Sequence, residues 1–232
     1  MSQGSRRLHR DRDIYASTPL RQLADAQTRA MLPQLQRSAG TCALSLGVRA
    51  GEAPPALPLV GFWTQLWLGD DGFHGDVRAA GDEPLPFLDE TFDVVLLRHA
   101  LEVAQAPEAL LDEAIRVLAP GGSLVLTGVH PVSGWAPWFY WRARGRQALR
   151  LPLRLGYRLQ RQGVEIAWVR RVGRVLPSPA ASRGRRGAPW GGGYVLMARK
   201  PSRLATPFQR VPARAPLPRG RLSPGTRRSS AM

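Results

Sequence analysis

The chain has 232 residues, 44% of them hydrophobic, and a formal net charge of +16. That is enough apolar chain for one domain with its own core and some tail. Its single cysteine, Cys42, rules out an intrachain disulfide, and no apolar run reaches the roughly 18 residues of a spanning helix.

Residues 1–14 are mostly polar, with no apolar stretch after their arginines. They predict a disordered start, no signal peptide and a cytoplasmic protein. Ser17-Thr18-Pro19 is a helix start, with a hydroxyl cap and Pro at the first helical position. Leu20, Leu23, Ala24, Gln27, Ala30 and Met31 follow at helical spacing. Thr41 to Leu46 reads as a strand, and the turn Gly47-Val48-Arg49-Ala50-Gly51 follows it. Residues 53–58 hold three prolines in six positions, so no full helix fits there. Phe62 to Leu68 is a second strand. Gly69-Asp70-Asp71-Gly72 is a turn, and Phe73 to Arg78 is a short strand after it. Too few residues separate those two strands for a helix, so they form a hairpin or a shortened stretch of sheet.

Phe92 to Leu97 is an apolar run with paired valines, as in a strand buried on both faces. Pro107 opens a helix with Leu110, Leu111, Ala114, Ile115, Val117 and Leu118 on one stripe. Pro120-Gly121-Gly122 is its expected stop, and Ser123 to Thr127 is the next strand. This is a βαβ unit, whose strands should be parallel neighbours. Trp135, Trp138, Phe139, Tyr140 and Trp141 then precede Arg142, Arg144 and Arg146. Such a mixture suits a lid over a substrate, base stacking with phosphate contacts, a membrane interface, or plain packing. Residues 152–162 read as a helix ended by Gly163 with Leu155 and Leu159 inward. Val164 to Val169 and Gly193 to Arg199 form an antiparallel hairpin, with a mobile loop over 177–193 between them.

Charge divides the chain. Residues 1–130 carry 11 basic and 16 acidic side chains, and residues 131–232 carry 22 basic and one acidic, Glu165. The basic half predicts a polyanion contact. Lys200 is the only lysine among 33 basic residues, so a GC-rich coding sequence is a competing source of the excess. A domain is expected over 15–200, and a basic disordered tail over 201–232, rich in Pro, Arg and Ser.

Leu85-Pro86-Phe87, Phe92-Asp93-Val94-Val95, the helix end Glu113 to Leu118, and Pro120-Gly121-Gly122 stand in a characteristic order. The stretch resembles the second half of the class I S-adenosylmethionine (SAM) methyltransferase domain, in its type 11 form. His130-Pro131-Val132-Ser133-Gly134-Trp135 resembles an Asn-Pro-x-Ser-x-Trp element of a divergent bacterial branch, with His130 in place of Asn. The resemblance implies an α/β, Rossmann-like sheet with helices on both faces, here shortened in its N-terminal half and closed by an antiparallel C-terminal hairpin. It also implies SAM as cofactor and a methyl acceptor that the sequence does not name.

The family's Leu-Asp-x-Gly-x-Gly-x-Gly turn stands here as Leu44-Ser45-Leu46-Gly47-Val48-Arg49-Ala50-Gly51. Gly47 and Gly51 match, while Ser45 and Arg49 depart from the pattern. Arg49 either intrudes on the space of the cofactor's amino-acid end or pairs with its carboxylate. Asp70 lies about 20 residues after the turn, at the place of a ribose-binding carboxylate, or is simply part of a Gly-Asp-Asp-Gly turn. Asp82 is the candidate for the adenine amino group, or a solvated loop residue. Arg98 and His99 end the central strand, where ligands of such sheets bind. His99 equally suits a cap or a core histidine. His130, Trp135 and Trp138 are the substrate candidates, and no metal cluster is evident. Two functions follow from the resemblance: methyl transfer, or a degenerate methyltransferase fold acting as a binding module, with nucleic acid as partner of its basic half.

Overall fold

The computed structural model describes residues 14–69, 71–81, 83–143, 148–178 and 190–202. Most of the proposed N-terminal segment and tail, the centre of the 177–193 loop, and Asp70, Asp82, Arg144 and Arg146 lie outside the described residues.

One sheet of eight strands runs through the molecule in the order β4-β3-β2-β1-β5-β6-β8-β7. The strands are β1 (Gly40–Gly47), β2 (Val60–Leu68), β3 (Gly72–Gly75), β4 (Ala79–Ala80), β5 (Phe92–Arg98), β6 (Leu118–Val129), β7 (Glu165–Val172) and β8 (Gly193–Arg199). Among the described residues the helices are α1 (Thr18–Leu35), α2 (Ala100–Val103), α3 (Pro107–Val117), α4 (Trp135–Ala143) and α5 (Pro152–Arg161). Neighbours β2, β1, β5 and β6 are parallel. The expected βαβ unit is therefore present, and β8 lies antiparallel between β6 and β7.

Alternation along β5 explains its uniformly apolar sequence. Val94 and Leu96 pack with Met31 and Leu35 of α1, and Val95 and Leu97 pack in the opposite layer with Leu110, Leu111 and Leu159. Both faces are buried, as the paired valines predicted. On α1 the buried residues Leu20, Leu23, Gln27, Met31 and Leu35 fall three or four apart. Among the described residues the core begins at Ile14 and Tyr15, which are both buried.

No helix stands between β1 and β2. Residues 52–57 are irregular; Pro55 and Leu57 are buried, Leu57 in the core layer that holds Met31 and Leu35 of α1. The next connection is a hairpin: β3 turns back antiparallel on β2, and β4 on β3. Gly75 is forced at that edge. Its φ is +139°, and a Cβ there would meet the Gln65 carbonyl.

Pro120-Gly121-Gly122 does not end α3. The helix stops at Val117, Leu118 is already extended, and the three residues lie inside β6. They form a bulge, since the β5–β6 register shifts between Phe92 and Val94. Gly121 at φ +80° allows its N–H to reach Lys200 O at 2.8 Å, while Lys200 N–H donates to Gly122 O at 3.0 Å. Lysine rather than glycine terminates the helix: Lys200 Nζ donates to Ile115 O at 3.1 Å and Leu118 O at 2.7 Å.

Candidate functional site

The chain leaves β1 toward β2 on one side and leaves β5 toward β6 on the other. The carboxyl ends of β1 and β5 therefore bound the crevice where ligands of such sheets bind. Gly47 closes β1 and Arg98 closes β5. Arg98 is buried, and its guanidinium lies 2.6 Å from Glu52 Oε1. It also donates to Ala53 O at 3.0 Å and Thr28 Oγ1 at 3.3 Å. Burial pushes the guanidinium pKa down, and the Glu52 carboxylate opposes that shift. Gly51 has φ +70° and open space around its Cα.

At the carboxyl end of β2, the strand next to β1, lies a cavity of about 290 Å³. Leu68 and Gly69 at the end of β2, Phe73 of the hairpin, Gly81, Glu83 to Leu85, and Val103 to Ala106 line it. Its floor is tied to α3. Arg116 donates to Leu85 O, Phe87 O, Glu113 and Asp89, and Leu85 N–H donates to Glu113 Oε2. These bonds hold the Leu85-Pro86-Phe87 segment against the helix, and the carboxylates of Glu113 and then Asp89 raise the Arg116 pKa above its usual value. Asp70 and Asp82 adjoin lining residues in sequence, although both lie outside the described residues.

His99 is turned inward. It caps α2 in the left-handed region at φ 57° and is buried. Its Nδ1 is 3.0 Å from Glu102 Oε2 and its Nε2 is 2.9 Å from Gln27 Oε1. Glu102 also accepts from Tyr15 Oη at 2.6 Å and from Val129 N–H. Both ring nitrogens thus face protein partners. The sequence placed Gln27 on the α1 stripe and Glu102 in the His-Ala-Leu-Glu run that His99 begins, but it gave neither of them, nor Tyr15, a role at the site.

The aromatic segment divides by burial. Trp135 is buried and donates its indole N–H to Arg174 O at 2.8 Å, and Phe139 is fully buried. Trp138 is half-buried and packs edge-on against Trp135. Tyr140 and Trp141 are exposed. His130, half-buried, accepts from Val132 N–H at Nδ1. Burial and the Arg171 charge push its pKa down. The neutral ring therefore carries its hydrogen on Nε2 and presents a donor there. Among the described residues no cluster of three or more His, Cys, Asp or Glu is placed to hold a metal, and no helix is long and apolar enough to cross a membrane.

Residues 67–126 match the methyltransferase domain family. The demethylmenaquinone methyltransferase of Clavibacter sepedonicus is 34% identical over 113 residues, covering 44% of each chain. Matches span 20% to 44% of the lengths of the curated relatives. A SAM-dependent methyltransferase of Thermotoga maritima, described as a possible histamine N-methyltransferase, superposes with a TM-score of 0.55 at 16% identity, over 81% of this chain and 94% of that one. A putative methyltransferase of Bacillus halodurans gives 0.53 at 20% identity, over 75% and 98%. Residues 67–126 are thus similar to a type 11 methyltransferase domain, and the chain shares the Rossmann-like fold of the solved SAM-dependent methyltransferases. The cofactor this family implies is SAM.

The residues present fit that group. An adenosine needs a mostly apolar cleft, and the cavity beside β2 is one. An α-amino acid needs a cation for its carboxylate, and Arg98 already holds a carboxylate beside the Gly47 turn.

Proposed function

We propose that the chain binds SAM across the ends of β1, β2 and β5 and catalyses methyl transfer to an acceptor. The cavity between Leu68, Leu85 and Val103 carries this reading, because it lies at the carboxyl end of β2, the strand next to β1. SAM supplies a methyl group already activated on its sulfonium, so the chain's part is to bind, orient and exclude water. In this reading Gly47 and Gly51 keep the turn open, Arg98 faces the carboxylate, and Asp70 and Asp82 are the candidate carboxylates for ribose and adenine. His99 acts through its hydrogen bonds, holding α1 and α2 around the site. His130 offers Nε2–H toward the acceptor, with Trp138 beside it and Trp135 as packing. The basic half, beyond residue 130, contacts a polyanion.

The test is calorimetric titration with S-adenosylhomocysteine. Ala104→Phe fills the cavity wall and should weaken binding at least about tenfold while leaving a cooperative melt. Unchanged affinity in that variant would place the ligand elsewhere.

A further inference from the structure

Arg98 does not reach out to solvent from the end of β5. It turns beneath α1 to Thr28 and across to the loop at Glu52 and Ala53. The two paired side chains are only 9% and 15% exposed. A buried guanidinium needs an anion beside it at all times, since an unpaired charge there is costly. Glu52 supplies that anion from an unusual position. Its second oxygen, Oε2, lies 3.6 Å from where a Cβ on Gly47 would stand. A carboxylate of the chain itself thus sits in the crevice between the ends of β1 and β5.

The segment that carries it is not tied into a strand or a helix. Gly51 precedes Glu52 in the left-handed region with nothing crowding it, and residues 52–57 make no regular structure. Displacing Glu52 breaks no strand ladder and no helix. An incoming carboxylate can take its place without leaving Arg98 unpaired, because the guanidinium fork accepts either one.

We propose that Glu52 is an internal substitute for a ligand carboxylate: Arg98 exchanges Glu52 for the α-carboxylate of SAM or S-adenosylhomocysteine. This rests on the methyltransferase reading above. Glu52 then competes with the amino-acid end of the cofactor and leaves its adenosine end untouched.

5′-Methylthioadenosine has the adenosine and lacks the amino acid, so it isolates the exchange. The experiment is calorimetric titration of S-adenosylhomocysteine and of 5′-methylthioadenosine into wild type, Glu52→Gln, and the double variant Glu52→Gln/Arg98→Gln. The double variant leaves no lone buried charge, so it guards against misfolding. Glu52→Gln should tighten S-adenosylhomocysteine roughly tenfold, the scale of one charge-assisted hydrogen bond, and move 5′-methylthioadenosine by less than about twofold. The double variant should lose the preference for S-adenosylhomocysteine. If both compounds bind wild type and Glu52→Gln leaves their affinity ratio unchanged, the exchange is wrong and the methyltransferase reading stands. If neither compound binds wild type, that reading fails and takes the exchange with it.

Discussion

Gln27 decides how the buried cluster around His99 is wired. Its amide nitrogen donates to Gly128 O at 2.9 Å and Tyr194 O at 3.3 Å. Carbonyls only accept, so the amide oxygen is the atom that faces His99 Nε2, and that nitrogen carries a hydrogen. On the other side of the ring, Glu102 gathers bonds from the N-terminal segment, the end of β5 and the end of β6. Burial, with the Glu102 charge next, pushes the Tyr194 hydroxyl pKa up, so that phenol stays neutral. Glu102→Ala should cost about 3–5 kcal/mol, since it strands several buried partners at once. Glu102→Gln keeps the shape and should cost clearly less. Urea midpoints followed by circular dichroism compare the two, and equal losses would mean the carboxylate is not the hub. His130 gives a pH signature of its own. Its folded pKa lies below the usual 6.5, so the unfolded chain binds more protons as pH falls through that value. Its contribution to stability is present above the unfolded pKa and is lost as pH falls toward the folded one. His130→Asn should flatten the difference in urea midpoint between about pH 5.5 and about pH 7.5. The same slope in wild type and variant would remove His130 as its source.

At the level of elements, the parts legible in the sequence are those fixed by local pattern. β5, α3 and β6 were readable because one apolar run, one amphipathic stripe and one apolar run follow each other within about forty residues. The lost crossover helix was readable from Pro54, Pro55 and Pro58, and the β2–β3 hairpin from the shortage of residues between them. The end of α3 was not. Its last carbonyls are capped by Lys200, 82 residues beyond Leu118, and no local signal announces a partner so distant. The roles of Glu52 and Gln27 were hidden for the same reason: each meets its partner, Arg98 or His99, only in the folded sheet. The lysine cap also touches Glu90 at 3.5 Å. Lys200→Met keeps the aliphatic stem and removes the donor, and should destabilise by about 1–3 kcal/mol through the two unsatisfied carbonyls. Thermal melts measure this. A variant as stable as wild type would show that water caps α3 equally well.

The whole molecule is electrically lopsided, and its C-terminal end is the plainest case. Residues 201–232 contain seven arginines and no acid. The buried hydrophobic residues of the described core end at Ala198, and the capping contacts end at Lys200. A chain truncated after Ser202 therefore keeps every one of those contacts. Its apolar content gives the removed segment little to offset the entropy of ordering it. Truncation should leave the melting temperature nearly unchanged. Binding to a polyanion should behave differently. Arginine contacts to phosphates release condensed counterions, and each contact to a single strand adds roughly 0.7 to the slope of log K against log salt. Titrating poly(U) at several salt concentrations should give a shallower slope for the truncated chain, without any change in base preference, because such contacts carry no sequence information. Loss of the cooperative melt would show that residues 203–232 pack on the domain. Equal salt slopes for the two chains would remove the tail as a polyanion contact and leave the arginine excess to codon composition.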